Sequence, residues 1–218
     1  MPPLGQSSRR VLLDGELERL APTFAGTVAD LGGRRPARGC FEPPVAQCRR
    51  WVIVNVDLRE RPDLVADVVA LPFRSASLDW VLCLETLQYV PCPEAAVGEM
   101  ARILVPGGRA VAAVPFLHRA DTATDRHRFT ETRLRELFQG AGLEVREIVR
   151  QGLFFTTLAN MVRQASARIP AAVLRYAVAL LVLPLSEFLH RVDRLTAVRR
   201  SPFLSSFTTG FLLVAHKP

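Results

Sequence analysis

The run Trp51-Val52-Ile53-Val54-Asn55-Val56, which stops at Asp57, limits the folds open to this chain more than any other feature. It is apolar nearly throughout and lacks the in–out alternation of a strand with one wet face, so it reads as a strand covered on both sides. Strands of that kind belong to parallel sheets, whose crossovers cover both faces. Neighbouring segments repeat the pattern. Gly26-Thr27-Val28-Ala29-Asp30-Leu31 is a brief strand-type run closed by Gly32-Gly33, residues 64–68 form a weaker strand, and residues 78–83 a fourth. A helix is predicted over residues 93–104, Pro106-Gly107-Gly108 breaks it, and residues 109–114 are a fifth strand. Thr130 is placed to cap a helix over 131–138 that Gly140 closes, with strands at 143–149 and 207–215 and a short helix at 11–20. Alternating strand and helix over the first five strands implies right-handed crossovers.

The 218 residues fit one domain. Charged residues make up 22% and hydrophobic residues 49%, which excludes a disordered chain. The formal charge is +7, and Lys217 is the only lysine, so the excess is arginine. Such a charge suits nucleic acid or an anionic membrane, although an arginine skew also follows from genome composition. Cys40, Cys48, Cys83 and Cys92 form no C-x-x-C pair and have no matching histidine spacing, so no metal site is predicted. Free thiols and no basic-then-apolar leader after Met1-Pro2-Pro3-Leu4-Gly5 suggest the reducing cytoplasm. No uninterrupted apolar stretch reaches the roughly 18 residues of a membrane span.

In an open sheet of this type, ligands bind beyond the carboxyl ends of the strands. Gly32-Gly33, Asp57 and Asp67 fall at three successive ends. Glycines let backbone approach a ligand closely, a carboxylate at Asp57 can accept both hydroxyls of a ribose, and Asp67 can accept from an exocyclic amine. Each alone also reads as a tight turn or a solvated cap. Together they outline a nucleoside pocket, and the pattern does not separate nicotinamide from S-adenosylmethionine.

From Asp30 to Gly108 the chain resembles the type 11 methyltransferase domain family of the class I S-adenosylmethionine-dependent methyltransferases. The resemblance lies in Ala29-Asp30-Leu31-Gly32-Gly33, Val54-Asn55-Val56-Asp57, Ala66-Asp67-Val68-Val69-Ala70-Leu71-Pro72-Phe73, Ser77-Leu78-Asp79-Trp80-Val81-Leu82-Cys83 and the stretch ending Leu104-Val105-Pro106-Gly107-Gly108. Asp125-Arg126-His127-Arg128-Phe129-Thr130 resembles a subgroup associated with glycan methylation. The implied fold is a Rossmann-like α/β domain over residues 1–218: a seven-stranded, mostly parallel sheet with an antiparallel last strand, helices on both faces, and a helical insertion at 151–205.

The resemblance implies that Gly32 and Gly33 face the methionine part of S-adenosylmethionine and that Asp57 holds its ribose. Asp67 and Val68 would read the adenine, Cys83 and Leu84 would line the pocket after the fourth strand, and Asp30 would order the loop. The loop Asp30-Leu31-Gly32-Gly33-Arg34-Arg35-Pro36 is one residue shorter than the family's D-x-G-x-G. Its two arginines oppose a sulfonium unless they point away or bind the methionine carboxylate. Gln88-Tyr89 stands where the family has Glu-His. A non-catalytic interaction module is therefore the alternative to an enzyme. A nucleic-acid methyltransferase is disfavoured, because Leu84-Glu85-Thr86-Leu87 replaces the N/D-P-P-Y signature that grips a flipped base.

For the acceptor, a sugar, glycolipid or other small molecule, His118, Asp121, Asp125 and His127 cluster after the fifth strand. His118, Asp125 and His127 are the candidate bases. The alternative is that Asp125 and Arg128 brace the loop and the histidines are solvated. The insertion is expected to hold helices at 153–168 and 171–195, the second kinked at Pro184. In the first, Phe155, Leu158, Val162 and Ala165 share one face, with Asn160, Arg163 and Gln164 largely opposite. Seven arginines (163, 168, 175, 191, 194, 199, 200) against Glu187 and Asp193 leave the insertion at 7 − 2 = +5. Its apolar helix is expected to dock on a membrane surface, peripheral to the inner face and without spanning the bilayer, or else to pack on the domain's own sheet or on a second copy of the chain.

Overall fold

The computed structural model describes residues 7–37, 39–120 and 122–218. Its strands are β1 (Thr27–Leu31), β2 (Arg50–Asn55), β3 (Leu64–Val65), β4 (Leu78–Leu84), β5 (Leu104–Pro115), β6 (Glu144–Arg150) and β7 (Gly210–His216). They form one sheet in the order β3-β2-β1-β4-β5-β7-β6. The strands β1 to β5 pair in parallel, and β7 runs antiparallel between β5 and β6. This is the seven-stranded, mostly parallel sheet that the sequence implied.

Successive side chains on each strand point to opposite faces. Val28, Leu82, Val111 and Leu212 pack against Leu13 and Leu17 of helix α1 (Ser8–Leu20). Phe24 fills the same layer, edge-on to Trp80 at 4.7 Å and to Trp51 at 5.7 Å. Ala29, Val54, Val81 and Ala112 face the other way, toward Val97 and Met100 of α2 (Pro93–Ile103) and Leu134 and Phe138 of α3 (Glu131–Gly140). Burying each of these large side chains contributes about 1.5–3 kcal/mol, so the two layers dominate stability.

Two expectations fail locally. Strand β5 starts at Leu104 and passes through Pro106-Gly107-Gly108, which the sequence read as a break. Leu78 pairs with Leu104 but Trp80 with Arg109, so the Pro-Gly-Gly residues bulge out of the ladder and pairing resumes beyond them. Strand–helix alternation also holds only from β4 onward. The connections β1→β2 and β2→β3 contain single turns of 3-10 helix at Val45–Gln47 and Leu58–Glu60. Pro36, Gly39, Pro43 and Pro44 keep the first of these from continuing as an α-helix.

The insertion forms α4 (Phe154–Ser166), α5 (Ala172–Val192) and the short α6 (Thr196–Arg200). Helix α4 buries its polar side, Thr156, Asn160, Arg163 and Ser166, and exposes Leu158, Met161 and Val162. Arg163 is held inside the domain, where burial pushes its guanidinium below its usual pKa. Helix α5 continues through Pro184 for 21 residues, long and apolar enough by length and composition to cross a bilayer. The helix expected at 171–195 is thus present, and its apolar run read as too short to span because Arg175, Ser186 and Glu187 interrupt that run without interrupting the helix.

Candidate active site

Leu31, the last residue of β1, lies between Val54 of β2 and Cys83 of β4. Chain connections leave in opposite directions on the two sides of β1, so the turn after it sits in the crevice where such sheets bind ligands. The Gly32 N–H donates to the Val54 carbonyl at 2.7 Å. Gly32 has φ +76, and a Cβ there would lie 2.0 Å from Thr86 Oγ1; a Cβ at Gly33 would lie 2.5 Å from the Asp30 carboxylate. Glycine is what lets the loops after β1 and β4 approach each other.

Two clefts meet at this turn. One, of about 310 Å³, is lined by Asn55, Val56, Asp57, Asp67, Val68, Thr86 and Tyr89. The other is lined by Arg10, Asp30, Gly33, Arg34 and Leu84. Gly32 and Glu85 line both, so the clefts adjoin, and together they make a trough across the ends of β1, β2 and β4.

Asp57 caps the turn after β2, its Oδ1 accepting from the Arg59 N–H at 2.9 Å. The Arg59 guanidinium holds the same carboxylate, with Nη2 donating to Oδ2 at 2.7 Å, and keeps its pKa below the usual range. The Arg59 side chain is 90% exposed, and a pair so open to water exchanges readily for a ligand hydroxyl. Asp67 Oδ1 accepts from the Val69 N–H at 3.2 Å. Asp30 lies deeper, and burial pushes its carboxyl up to about 6, against the opposing charge of Arg10.

Arg34, which lines the second cleft beside Gly33, and Arg35 both pair with acids beyond β2. Arg34 Nε lies 3.2 Å from Glu60 Oε2, and Arg35 Nη2 lies 2.8 Å from Asp63 Oδ2. Each guanidinium is thus partnered by a carboxylate, which offsets the charge that the sequence set against a sulfonium. Cys83 is wholly buried in the core beside Asp30, its thiol pushed up to about 12 by burial. Strand parity turns Cys83 into the core, and Leu84 with its followers Glu85 and Thr86 lines the trough instead.

Sequence reasoning gave no role to Glu85, Tyr89 or Arg10. Glu85 adopts φ 56, a strained conformation for a non-glycine residue, and pairs with Arg9 from α1. Its Oε1 is buried with no hydrogen-bond partner among the described residues. The only sequence signal was position, one residue past a buried strand. Carboxylates at Asp57 and Asp67, apolar Val56 and Val68 and the Tyr89 ring suit a nucleoside. Asp30 and Arg10, at the other end, suit the ammonium and carboxylate of an amino acid. The trough therefore fits the cofactor that the resemblance implied.

The candidate bases do not converge. His118 lines a separate cleft of about 520 Å³ with Phe116, Arg119, Arg128, Asn160, Gln164 and Arg168, between the loop after β5 and helix α4. Its Nδ1 lies 3.5 Å from Gln164 Nε2. Asp125 is held by Arg128 through two contacts of 2.5 and 2.6 Å and braces the loop. His127 Nε2 lies 3.0 Å from the Val90 carbonyl and so ties the loop to the residues after β4. Asp121 lies outside the described residues.

The sequence profile of the methyltransferase domain family matches residues 47–112, from the approach to β2 into β5. No curated protein matches in sequence. Among solved structures, geranyl diphosphate C-methyltransferase from Streptomyces coelicolor A3(2), in complex with geranyl diphosphate and S-adenosyl-L-homocysteine, is similar with a TM-score of 0.60 and 15% identity. The match covers 95% of this chain and 80% of that one. Phosphoethanolamine N-methyltransferase 2 from Haemonchus contortus, in complex with S-adenosyl-L-methionine, has a TM-score of 0.57 at 13% identity, covering 95% of this chain and 52% of that one. The [4+2]-cyclase SpnF has a TM-score of 0.56 at 18% identity, covering 94% of this chain and 80% of that one.

Proposed function

We propose that this chain, whose fold is that of the class I S-adenosylmethionine-dependent methyltransferases, transfers the methyl group of S-adenosylmethionine to a hydroxyl of a sugar, glycolipid or other small molecule. The observation that carries the proposal is the trough at the crevice, with Asp57 and Asp67 at one end, Asp30 and Arg10 at the other, and Gly32 where they meet. Asp57 takes the ribose hydroxyls, Asp67 and the Val68 backbone the adenine, and Asp30 the ammonium. The cofactor supplies an electrophilic methyl group on sulfur. The remaining work is positioning an acceptor oxygen in line with it. The cleft beside α4 follows β5, the neighbour of β4, and presents His118 as the group that removes the hydroxyl proton as the C–O bond forms.

The fold alone does not select a reaction, as the cyclase among its likenesses illustrates. The second reading, a non-catalytic interaction module, draws support from Asp57, whose two oxygens are both engaged by Arg59. Titration calorimetry of the purified chain with S-adenosylmethionine separates the two. Binding in the micromolar range, followed by methyl transfer in a screen of sugar, lipid and phenol acceptors, is the expected result. No heat at millimolar cofactor leaves the interaction module standing.

A further inference from the structure

The insertion presents its apolar side to solvent. On α5, Val173 is 85% exposed, Leu180 77%, Leu181 74% and Phe188 60%. These residues lie on the helix side opposite Ala179, Val182 and Ser186, which are buried against α4. Helix α4 adds Leu158, Met161 and Val162 to the exposed apolar surface, because its polar side is the one held against the domain. Two adjacent helices turned apolar side out leave large apolar side chains in water side by side, the pattern that marks an interaction surface.

Charge identifies the occupant. Arg168 and Arg175 lie toward one end of α5, and Arg191, Arg194, Arg199 and Arg200 lie at and beyond the other. The acids of the segment are Glu187, 3.6 Å from Arg191, and the buried Asp193. An apolar face flanked by arginines complements a layer of anionic headgroups over hydrocarbon. A second copy of the same surface would bring arginines against arginines with little acid to offset them. Nucleic acid would leave the apolar face uncovered.

Both ends of α5 are fastened to α4, so the helix lies along the domain. Asp193, just past α5, accepts backbone N–H bonds from Leu153 at 2.9 Å, Phe155 at 3.1 Å and Thr156 at 2.8 Å, capping the start of α4. At the other end Arg175 donates to the Ile169 carbonyl, just beyond α4, at 3.3 Å. Helix α4 is itself anchored through Asn160, whose Oδ1 accepts from the Ser8 N–H of α1 at 3.0 Å. Inserting the hairpin across a bilayer would break its anchor to α1, while the Asp193 and Arg175 contacts, internal to the hairpin, hold α5 alongside α4.

We infer that the α4–α5 hairpin docks in the plane of an anionic membrane surface, its apolar side in the interface and its arginines among the headgroups. Met161 and Ala165 belong both to the exposed stripe of α4 and to the wall of the His118 cleft, so that cleft opens beside the lipid. On the methyltransferase reading, the acceptor then arrives from the headgroup layer and carries an anionic group that Arg168, on the rim of that cleft, meets. Docking itself needs no cofactor, so its failure and the failure of methyl transfer are distinguishable.

The test is co-sedimentation of the full chain with vesicles of phosphatidylcholine containing phosphatidylglycerol, against phosphatidylcholine alone, at low and high salt. Binding is expected only to the anionic vesicles, weakened by salt and reversed by carbonate wash. Arg191→Gln and Arg194→Gln should each weaken partitioning about fivefold. Leu180→Glu with Leu181→Glu should abolish it while leaving the circular dichroism and calorimetric cofactor binding unchanged, since both side chains are in water in the free protein. Full-length protein that stays in the supernatant at low salt overturns the inference. So does protein that resists carbonate, which would span the bilayer, or a dimer in vesicle-free buffer that the Leu180/Leu181 variant converts to monomer with no vesicle binding by either.

Discussion

Asn160 in α4 accepts a hydrogen bond at 3.0 Å from the backbone N–H of Ser8, 152 residues earlier in the chain. Ser8 is wholly buried, and its N–H is among the helix-start donors that the α-helix leaves without an internal partner. Asn160→Ala should therefore destabilise the domain by about 1–3 kcal/mol, the cost of a buried donor left unmade. Urea denaturation reads the change, and an unaltered midpoint would show that water satisfies Ser8.

Asp57 should matter to the ligand and not to the fold. Asp57→Ala removes an acceptor of the ribose hydroxyls, and cofactor affinity should fall about tenfold or more, the ordinary effect of losing charge-assisted hydrogen bonds. Its ion pair with Arg59 is open to water, so the melting temperature should hardly move. Equal affinity of the two proteins in calorimetry would remove Asp57 from the site.

Asp30 gives the free protein a pH signature. Its folded pKa of about 6 lies above the ordinary carboxylate value, so its stabilising contribution is complete below about pH 4 and is lost as pH rises through 6. Above that the folded chain carries a desolvated charge that the unfolded chain hydrates freely. Asp30→Asn should stabilise the free protein at pH 8 by about 3 kcal/mol, and the gain should shrink toward zero near pH 4. The same variant should bind cofactor more weakly at pH 8, because the ammonium loses its counter-charge. A gain equal at pH 4.5 and pH 8 would mean the carboxyl is not desolvated.

Gly32 holds the crevice open. Gly32→Ala places a Cβ against Thr86 at φ +76, which strains the backbone and pushes apart the loops after β1 and β4. Stability should drop by more than about 1 kcal/mol, with cofactor binding lost or strongly weakened. Thermal melting and calorimetry on one preparation check both parts.

Two of the candidate bases, His118 and Asp125, should separate by kind of effect. His118→Ala is expected to reduce turnover about a hundredfold or more with the fold intact. Asp125→Asn removes the charge partner of Arg128 and should act first on the order of the 116–129 loop, seen as greater proteolysis there. Full turnover in the His118 variant would place the base elsewhere or make one unnecessary.

The strands were legible because buried parallel strands are written as apolar runs, and Asp57 because its run stops there; the strand expected at 64–68 shrinks to Leu64–Val65, because Asp67 interrupts a run that continues through Val68 and Val69. Pro106-Gly107-Gly108 was misread because a breaker pattern does not distinguish the end of a helix from a bulge in a strand. The two faces of α4 were visible as periodicity, but periodicity does not say which face turns inward. That depends on Ser8 and Asp193, residues distant in sequence. Cys83 was set in the pocket and Glu85 left without a role because one step along a strand exchanges core for crevice.

The placement of β7 also bears on how the chain folds. Gly210–His216 slots antiparallel between β5 and β6, which do not pair with each other, so both carry an unpaired edge until this segment arrives. The whole α4–α6 segment lies in the chain between β6 and β7. Its apolar helices must be kept from those open edges while the last strand finds its slot, a long-range closure of the kind that slows folding. Ribosome-bound chains stalled before residue 210 should be the most aggregation-prone of a truncation series, and release of the final strand should be the step that chaperones protect.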